Sequence, residues 1–232
     1  MVIWAVTVLL VLSVAWTSAK PAQQVHLRRV QEASPPNGTS LSASEYEGLI
    51  GLLGNGTTRL ASLYRTSEHG TSYDDLIDRV GDAKPLVFVV RKDQYVFGAF
   101  ISAGLRLPDD PASYHRVECD VWHFSLAGHF PQPTKIEIEQ WEHYVEVAGG
   151  QRSVAVGGPS VYIGGVLWVK AEYDVGVAAD DVLYCKQLTR SVPEGYTGVS
   201  TEYGTALLAG WSTFMADEIE VLHVVGWGSN QE

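Results

Sequence analysis

Apolar residues change their rhythm near residue 84: before it they recur at helical spacing, and after it they come in short dense runs broken by glycine and polar residues. Tyr46, Leu49, Ile50 and Leu53 fall three and four apart and mark one face of a helix. Ser44 opens it, with Glu47 three residues on as a capping box, and Gly54-Asn55-Gly56 stops it. A second helix begins at Ser72, capped with Asp75, carries Tyr73, Leu76, Ile77 and Val80 as its apolar stripe, and ends at Gly81. The runs 86–91 and 95–101 are rich in Val and Phe and flank Lys92-Asp93-Gln94, which predicts a hairpin. Further strands are expected at 121–126, 154–156, 161–163, 166–170 and 218–225. Two greasy helix faces followed by many short strands make an α+β domain, with helices laid against packed sheets.

The N-terminus reads differently. Residues 2–16 form an apolar run of about the length of a signal-peptide core and shorter than the roughly 20 residues a membrane span needs. Thr17-Ser18-Ala19 supplies small residues for cleavage before Lys20. The expected organisation is a signal peptide over 1–19, a flexible polar lead-in over 20–40 containing Pro35-Pro36-Asn37-Gly38, one domain over 41–225 and a polar tail over 226–232. That route leads to secretion or the secretory lumen, with membrane attachment only if the leader is not cleaved. Asn37 and Asn55 are glycosylation acceptors in turn-prone contexts, in keeping with a glycoprotein. Cys119 and Cys185 are the chain's two cysteines, and an oxidising compartment favours a disulfide between them over two buried thiols.

Charge narrows the partners. With 27 acidic against 16 basic residues the formal net charge is −11, and the basic residues gather no further than Arg28-Arg29. Nucleic acid and anionic lipid are therefore poor partners.

Four patterns raise chemistry. Gly157-Gly158-Pro159-Ser160 with Gly164-Gly165 suggests a phosphate cradle, yet the order GxxxxGK[ST] is missing and no Lys follows before Lys170, so positive-φ turns explain the glycines better and no cofactor is implied. His115, Cys119, His123 and His129 are zinc-type ligands within fifteen residues, at a spacing that matches no zinc pattern. Glu218 and Glu220 share one face of a strand by its period of two, while Asp217, Ile219, Val221 and His223 share the other. Two like charges so placed point to a solvated or partner-binding stripe rather than an acid/base pair, and GxSxG is absent. Among thiols, Cys119 lies between Glu118 and Asp120, which oppose ionisation, whereas Cys185 precedes Lys186 and is the better redox candidate.

An ordered set of signatures ties these segments together: LYRTSEHG (63–70), YDDLIDRV (73–80), PLVFVV (85–90), QYVFGAF (94–100), VWHFSL (121–126), GGPSVYIGG (157–165) and DEIEVLHV (217–224). In this order they resemble a TLDc domain. The resemblance implies a β-sandwich of two antiparallel sheets with two N-terminal helices, and a mostly non-catalytic protein-binding role in protection against oxidative stress. It implies structural roles for Gly98, Gly157, Gly158, Gly164 and Gly165, and places His123 where the family shows an aromatic or apolar residue, as a core or rim histidine. It also implies the vacuolar ATPase as a partner, whose catalytic head faces the cytosol and is out of reach of a luminal domain. The chain departs from the family pattern over 104–118 and 171–203, which are expected to be loops that set its own specificity. The competing readings are an enzyme, either a thiol-dependent antioxidant or an unrecognised hydrolase drawing on Cys185, His123 and Glu218, and a secreted lectin-like or scaffold sandwich whose seven tryptophans serve an exposed face.

Overall fold

The computed structural model describes residues 34–54, 58–150, 159–171 and 181–227. The leader 1–19, Asn55, Gly157, Gly158, the strand expected at 154–156 and the tail from 228 on lie outside the described residues.

Helix α1, Ala43–Leu53, starts two residues earlier than its apolar spacing suggests. Two overlapping Ser-x-x-Glu frames compete here, and Ser42 with Glu45 closes the capping box rather than Ser44 with Glu47. Strand β1, Arg59–Arg65, runs directly into α2, Thr66–His69, a single turn that the apolar pattern does not announce. Helix α3, Tyr73–Val80, is capped by Ser72 and Asp75 and ended by Gly81, as expected. Strands β2, Leu86–Lys92, and β3, Tyr95–Ile101, form the expected hairpin, with Asp93 at φ 52° in its tight turn. Then follow β4, Tyr114–Glu118; β5, Val121–Ala127; β6, Thr134–Ile136; β7, Tyr144–Ala148; β8, Pro159–Ile163; β9, Leu167–Ala171; β10, Tyr184–Gln187; β11, Thr213–Met215; and β12, Glu218–Val225. The segments 104–118 and 171–203 are thus more than loops, since β4 and β10 fall within them.

The strands make two antiparallel sheets of six, in the orders β1-β12-β2-β3-β5-β6 and β11-β10-β9-β8-β7-β4. Their facing sides enclose the main core, where Phe88, Val90, Phe97 and Ile219 of the first sheet meet Val161, Ile163, Leu167 and Val169 of the second, with Leu76 of α3 packed among them. The first sheet is buried on its other face as well. Tyr46, Leu49 and Leu53 of α1 lie there over Val87, Val89, Phe100, Trp122 and Leu222. Burial on both faces explains why β2, β3 and β5 read as nearly continuous apolar runs rather than alternating ones. The first residues of the expected polar tail also join this layer, because the Trp227 ring packs 4.8 Å from that of Phe100.

Among the described residues no helix packs on the outer side of the second sheet. A row of rings crosses its strands instead: Tyr144 stacks on Tyr162 at 5.3 Å, and Tyr162 meets Trp168 at 5.9 Å. Arg116 caps one end, 3.5 Å over Tyr144, and Lys186 the other, 4.4 Å over Trp168. Cross-strand pairs of this kind contribute several tenths of a kcal/mol each, about 0.2–1 kcal/mol.

Close packing of the first sheet turns on Gly98. A Cβ there would run into the Phe88 carbonyl and the Phe124 ring. Gly98→Ala is expected to lower stability by about 1–3 kcal/mol, the usual cost of overpacking a filled core, read as a lower denaturant midpoint at unchanged m-value.

Candidate functional site

Strand β12 is the last in sequence and sits between β1 and β2, so its side chains are reached from both neighbours and from the chain that precedes α1. Glu218 and Glu220 do share one face, as the period of two requires, but that face is covered. Glu220 is 0% exposed. One carboxylate oxygen accepts from the Thr39 hydroxyl at 3.1 Å and from the Ser40 amide and hydroxyl at 2.8 and 2.7 Å, and the other accepts from the Ser62 hydroxyl at 2.9 Å. Glu218 accepts from the Thr66 hydroxyl, the Ser67 amide and hydroxyl, and Arg65. The expected interaction stripe is therefore corrected: these carboxylates are structural acceptors, with their lone pairs committed to β1, α2 and the strap over residues 38–41.

Arginines complete the cluster. Arg91 of β2 forks onto Glu45 at 2.6 and 3.2 Å and donates to the Ser40 carbonyl at 2.6 Å, while Arg65 reaches the Gly38 carbonyl and Glu68 at 2.8 and 2.7 Å. The end of the expected flexible lead-in is thus tied to the sheet. Burial alone would push the carboxyls of Glu45 and Glu218 up. In Glu45 the Arg91 and Ser42 hydrogen bonds outweigh it, and in Glu218 those from Ser67 with the Arg65 charge do, so both titrate below the ordinary carboxylate value.

His123 lies on β5 in the core at 1% exposure, with Nε2 bonded to the Gly164 carbonyl at 2.7 Å. That bond holds the β8–β9 turn, where Gly164 has no room for a side chain against the Glu142 carbonyl and Gly165 adopts φ 73°. Both glycines are structural. His129 is likewise buried, stacked on Tyr95 at 4.1 Å and bonded to the Leu208 carbonyl. His115 stands apart on β4. Among the described residues no three His, Cys, Asp or Glu side chains are placed to hold a metal.

The disulfide is also corrected. Both cysteines are free thiols. Cys119 continues β4, its amide donating to the His143 carbonyl at 3.1 Å beside β7, while Cys185 is on β10, four strands away in the same sheet. Four spacings of ~4.8 Å put them about 19 Å apart, far beyond the ~7 Å limit for a bridge. Cys185 is fully buried, its thiol pushed up strongly by burial, and so is the poorer redox candidate of the two. Cys119 is half-buried and lines an open cavity of about 600 Å³ with Lys84, Arg106 and His115. Burial, together with Asp120 and Glu118, still raises its thiol above the ordinary value. Sequence reasoning missed this cavity because its walls come from the 104–118 segment and from residues 81–84.

Asn37 is exposed in a turn with Gly38 at φ 79°. The Thr39 hydroxyl that completes its acceptor motif is the one bonded to Glu220.

Two predictions follow from these bonds. Glu220→Gln replaces one acceptor oxygen by a donor facing hydroxyls and an amide, and should cost about 1–3 kcal/mol, with proteolysis of residues 34–41 accelerated in the folded protein. For His123, burial lowers the imidazole from 6.5 to about 4. The unfolded chain then binds a proton that the folded chain refuses, so stability is lost as pH falls from 6.5 toward 4, by about 2 kcal/mol at pH 5. Urea titrations at pH 7 and pH 5 should show that loss in the wild type and a smaller one in His123→Gln.

The TLDc domain family model matches residues 40–225 of the chain. No curated protein matches it. The match begins at Ser40, the strap residue held by Glu220, and closes at Val225, the last residue of β12, so it spans both sheets and every bond of the carboxylate cluster except those from Gly38 and Thr39. The chain belongs to the TLDc domain family, which is generally linked to resistance against oxidative stress.

Proposed function

We propose that this protein is a non-catalytic interaction module that protects against oxidative damage by engaging a protein partner. One observation carries the reading: the groups that catalysis would need are spent on structure. Glu218 and Glu220 are filled by donors, His123 is bonded inside the core, Cys185 is sealed from solvent, and the accessible Cys119 is held above the ordinary thiol pKa by burial and two acidic neighbours. A peroxide-reducing cysteine needs the opposite environment.

The apolar leader and the exposed acceptor Asn37 support a secreted or luminal site of action. A domain so placed meets a luminal or extracellular partner. A cytosolic one would have the vacuolar ATPase as its partner by family resemblance.

Two measurements test the reading. Cells expressing Cys119→Ser with Cys185→Ala should withstand peroxide as well as those expressing the wild type, and lost protection by a folded double variant would move the protein to the thiol enzymes. Glycosidase treatment of the full-length protein from its own cells should lower its mass, with residues 1–19 absent. An unshifted protein that retains Met1 would restore the cytosolic ATPase partner.

A further inference from the structure

The cavity beside Cys119 is walled by three segments that are far apart in sequence. Residues 81–84 lead from α3 into β2, residues 102–106 follow β3, and residues 115–119 run along β4 into the turn before β5. Each wall is fixed from behind. Gly104 lies so close to the first segment that an added Cβ would stand 2.8 Å from the Ala83 carbonyl oxygen. The Ser102 amide donates to the Asp120 carbonyl at 2.9 Å, and the Ser102 hydroxyl accepts from the Asp120 amide at 2.8 Å. His223 of β12 bonds to the Lys84 carbonyl at 3.1 Å. The fold thus preforms a space of about 600 Å³, within the ~300–1,000 Å³ usual for small-molecule sites.

The lining has an apolar part and a cationic part. Leu105 is 5% exposed and belongs to the main core, and Ala103, Val117 and Cys119 pack against the same core. Lys84 and Arg106 are exposed beside them, and His115 is half-buried. Arg65, Arg91, Lys92, Arg116, Lys135 and Arg190 all have carboxylate partners. Among the described residues no ion pair takes Lys84, Arg106 or His115, in a chain with 27 acidic residues against 16 basic. Of the acids on the same walls, Glu118 turns to Arg116 at 3.5 Å, and Asp82 pairs with neither cation. A guanidinium and an ammonium so placed match an oxyanion, the first with forked donors and the second with a point charge. Concave walls that keep water from part of the head group strengthen both contacts. The apolar lining fits a hydrocarbon body better than a bare ion.

We propose that this cavity binds a small amphipathic oxyanion, a carboxylate or phosphate ester carried on a short apolar chain. Lys84 and Arg106 hold the head group, His115 supplies a further donor, and Leu105, Val117 and Cys119 cover the apolar body. Such a ligand is distinct from the protein partner proposed above. Cys119 reports on the site, because its thiol lies in the lining while Cys185 is sealed in the core. Alkylation of the folded protein by an uncharged reagent therefore reads the cavity alone.

Equilibrium dialysis of the purified full chain against radiolabelled octanoate and octyl phosphate tests this, with iodoacetamide labelling of Cys119 followed by mass spectrometry on the same samples. At least one of the two anions should bind saturably and suppress most of the Cys119 alkylation, and which one binds identifies the head group. Lys84→Gln and Arg106→Gln should each weaken binding by about tenfold or more, the effect of losing a hydrogen bond to a charged group. Arg59→Gln, an exposed cation of β1 outside the cavity, should leave it unchanged. Octanol and inorganic phosphate each offer half of the chemistry and should bind at least about tenfold more weakly. Absence of binding by both anions at about 1 mM overturns the proposal. So does equal binding of octanol or inorganic phosphate, binding that survives loss of both cations, or binding that leaves Cys119 as reactive as before. A chain that binds neither anion, and whose double cysteine variant still protects cells, loses only this site.

Discussion

A carboxylate withdrawn from water needs protein donors in place of its lost hydration, and at Glu220 this domain supplies them from distant parts of the chain. Its four donors come from the strap and from β1, neither of which is near it in sequence. Without the strap the carboxylate would keep the Ser62 hydroxyl and lose three of its four donors, and without the carboxylate three part-buried hydroxyls and an amide would lose their acceptor. The cluster therefore fixes register: it sets where α1 begins, through Arg91 and Glu45, and where α2 turns, through Glu218 and Ser67.

The two sheets solve the problem of their outer faces in opposite ways. The first is covered by a helix and so is apolar on both sides, with charge admitted only where the strap supplies partners. On the second, a ladder of stacked rings and cations crosses the strands, and among the described residues no helix lies over it. This division places the rigid, sequestered chemistry on one side of the molecule and the aromatic surface on the other.

Much of the first sheet was legible in the sequence because strands buried on both faces announce themselves. The runs at 86–91, 95–101 and 218–225 fall where Val, Phe and Ile crowd together. Strands with one wet face were harder to see: Tyr114-His115-Arg116-Val117-Glu118 has a single clearly apolar inner residue, and Tyr184-Cys185-Lys186-Gln187 little more. The period of two placed Glu218 and Glu220 on the same side correctly. What it could not show was the cover, since the groups that bury Glu220 lie up to 181 residues away. The same long range separates the two cysteines, whose even number suggests a bridge that the width of one sheet forbids. The frame of the first capping box was ambiguous for a local reason, two overlapping Ser-x-x-Glu sets, and was settled only by Arg91 drawing Glu45 to its side.

The central position of β12 has a consequence for how the protein is made. Strands β1 and β2 are neighbours only through it, and the strap has no carboxylate to hold until residue 220 exists. A chain made from its N-terminus can therefore close the β2–β3 hairpin early, while β1 and the strap gain their partner only once β12 has been made. Until then the Thr39 hydroxyl lacks the carboxylate it meets in the folded domain, so the order of synthesis makes the strap one of the last pieces to be fastened although it is among the first to be made.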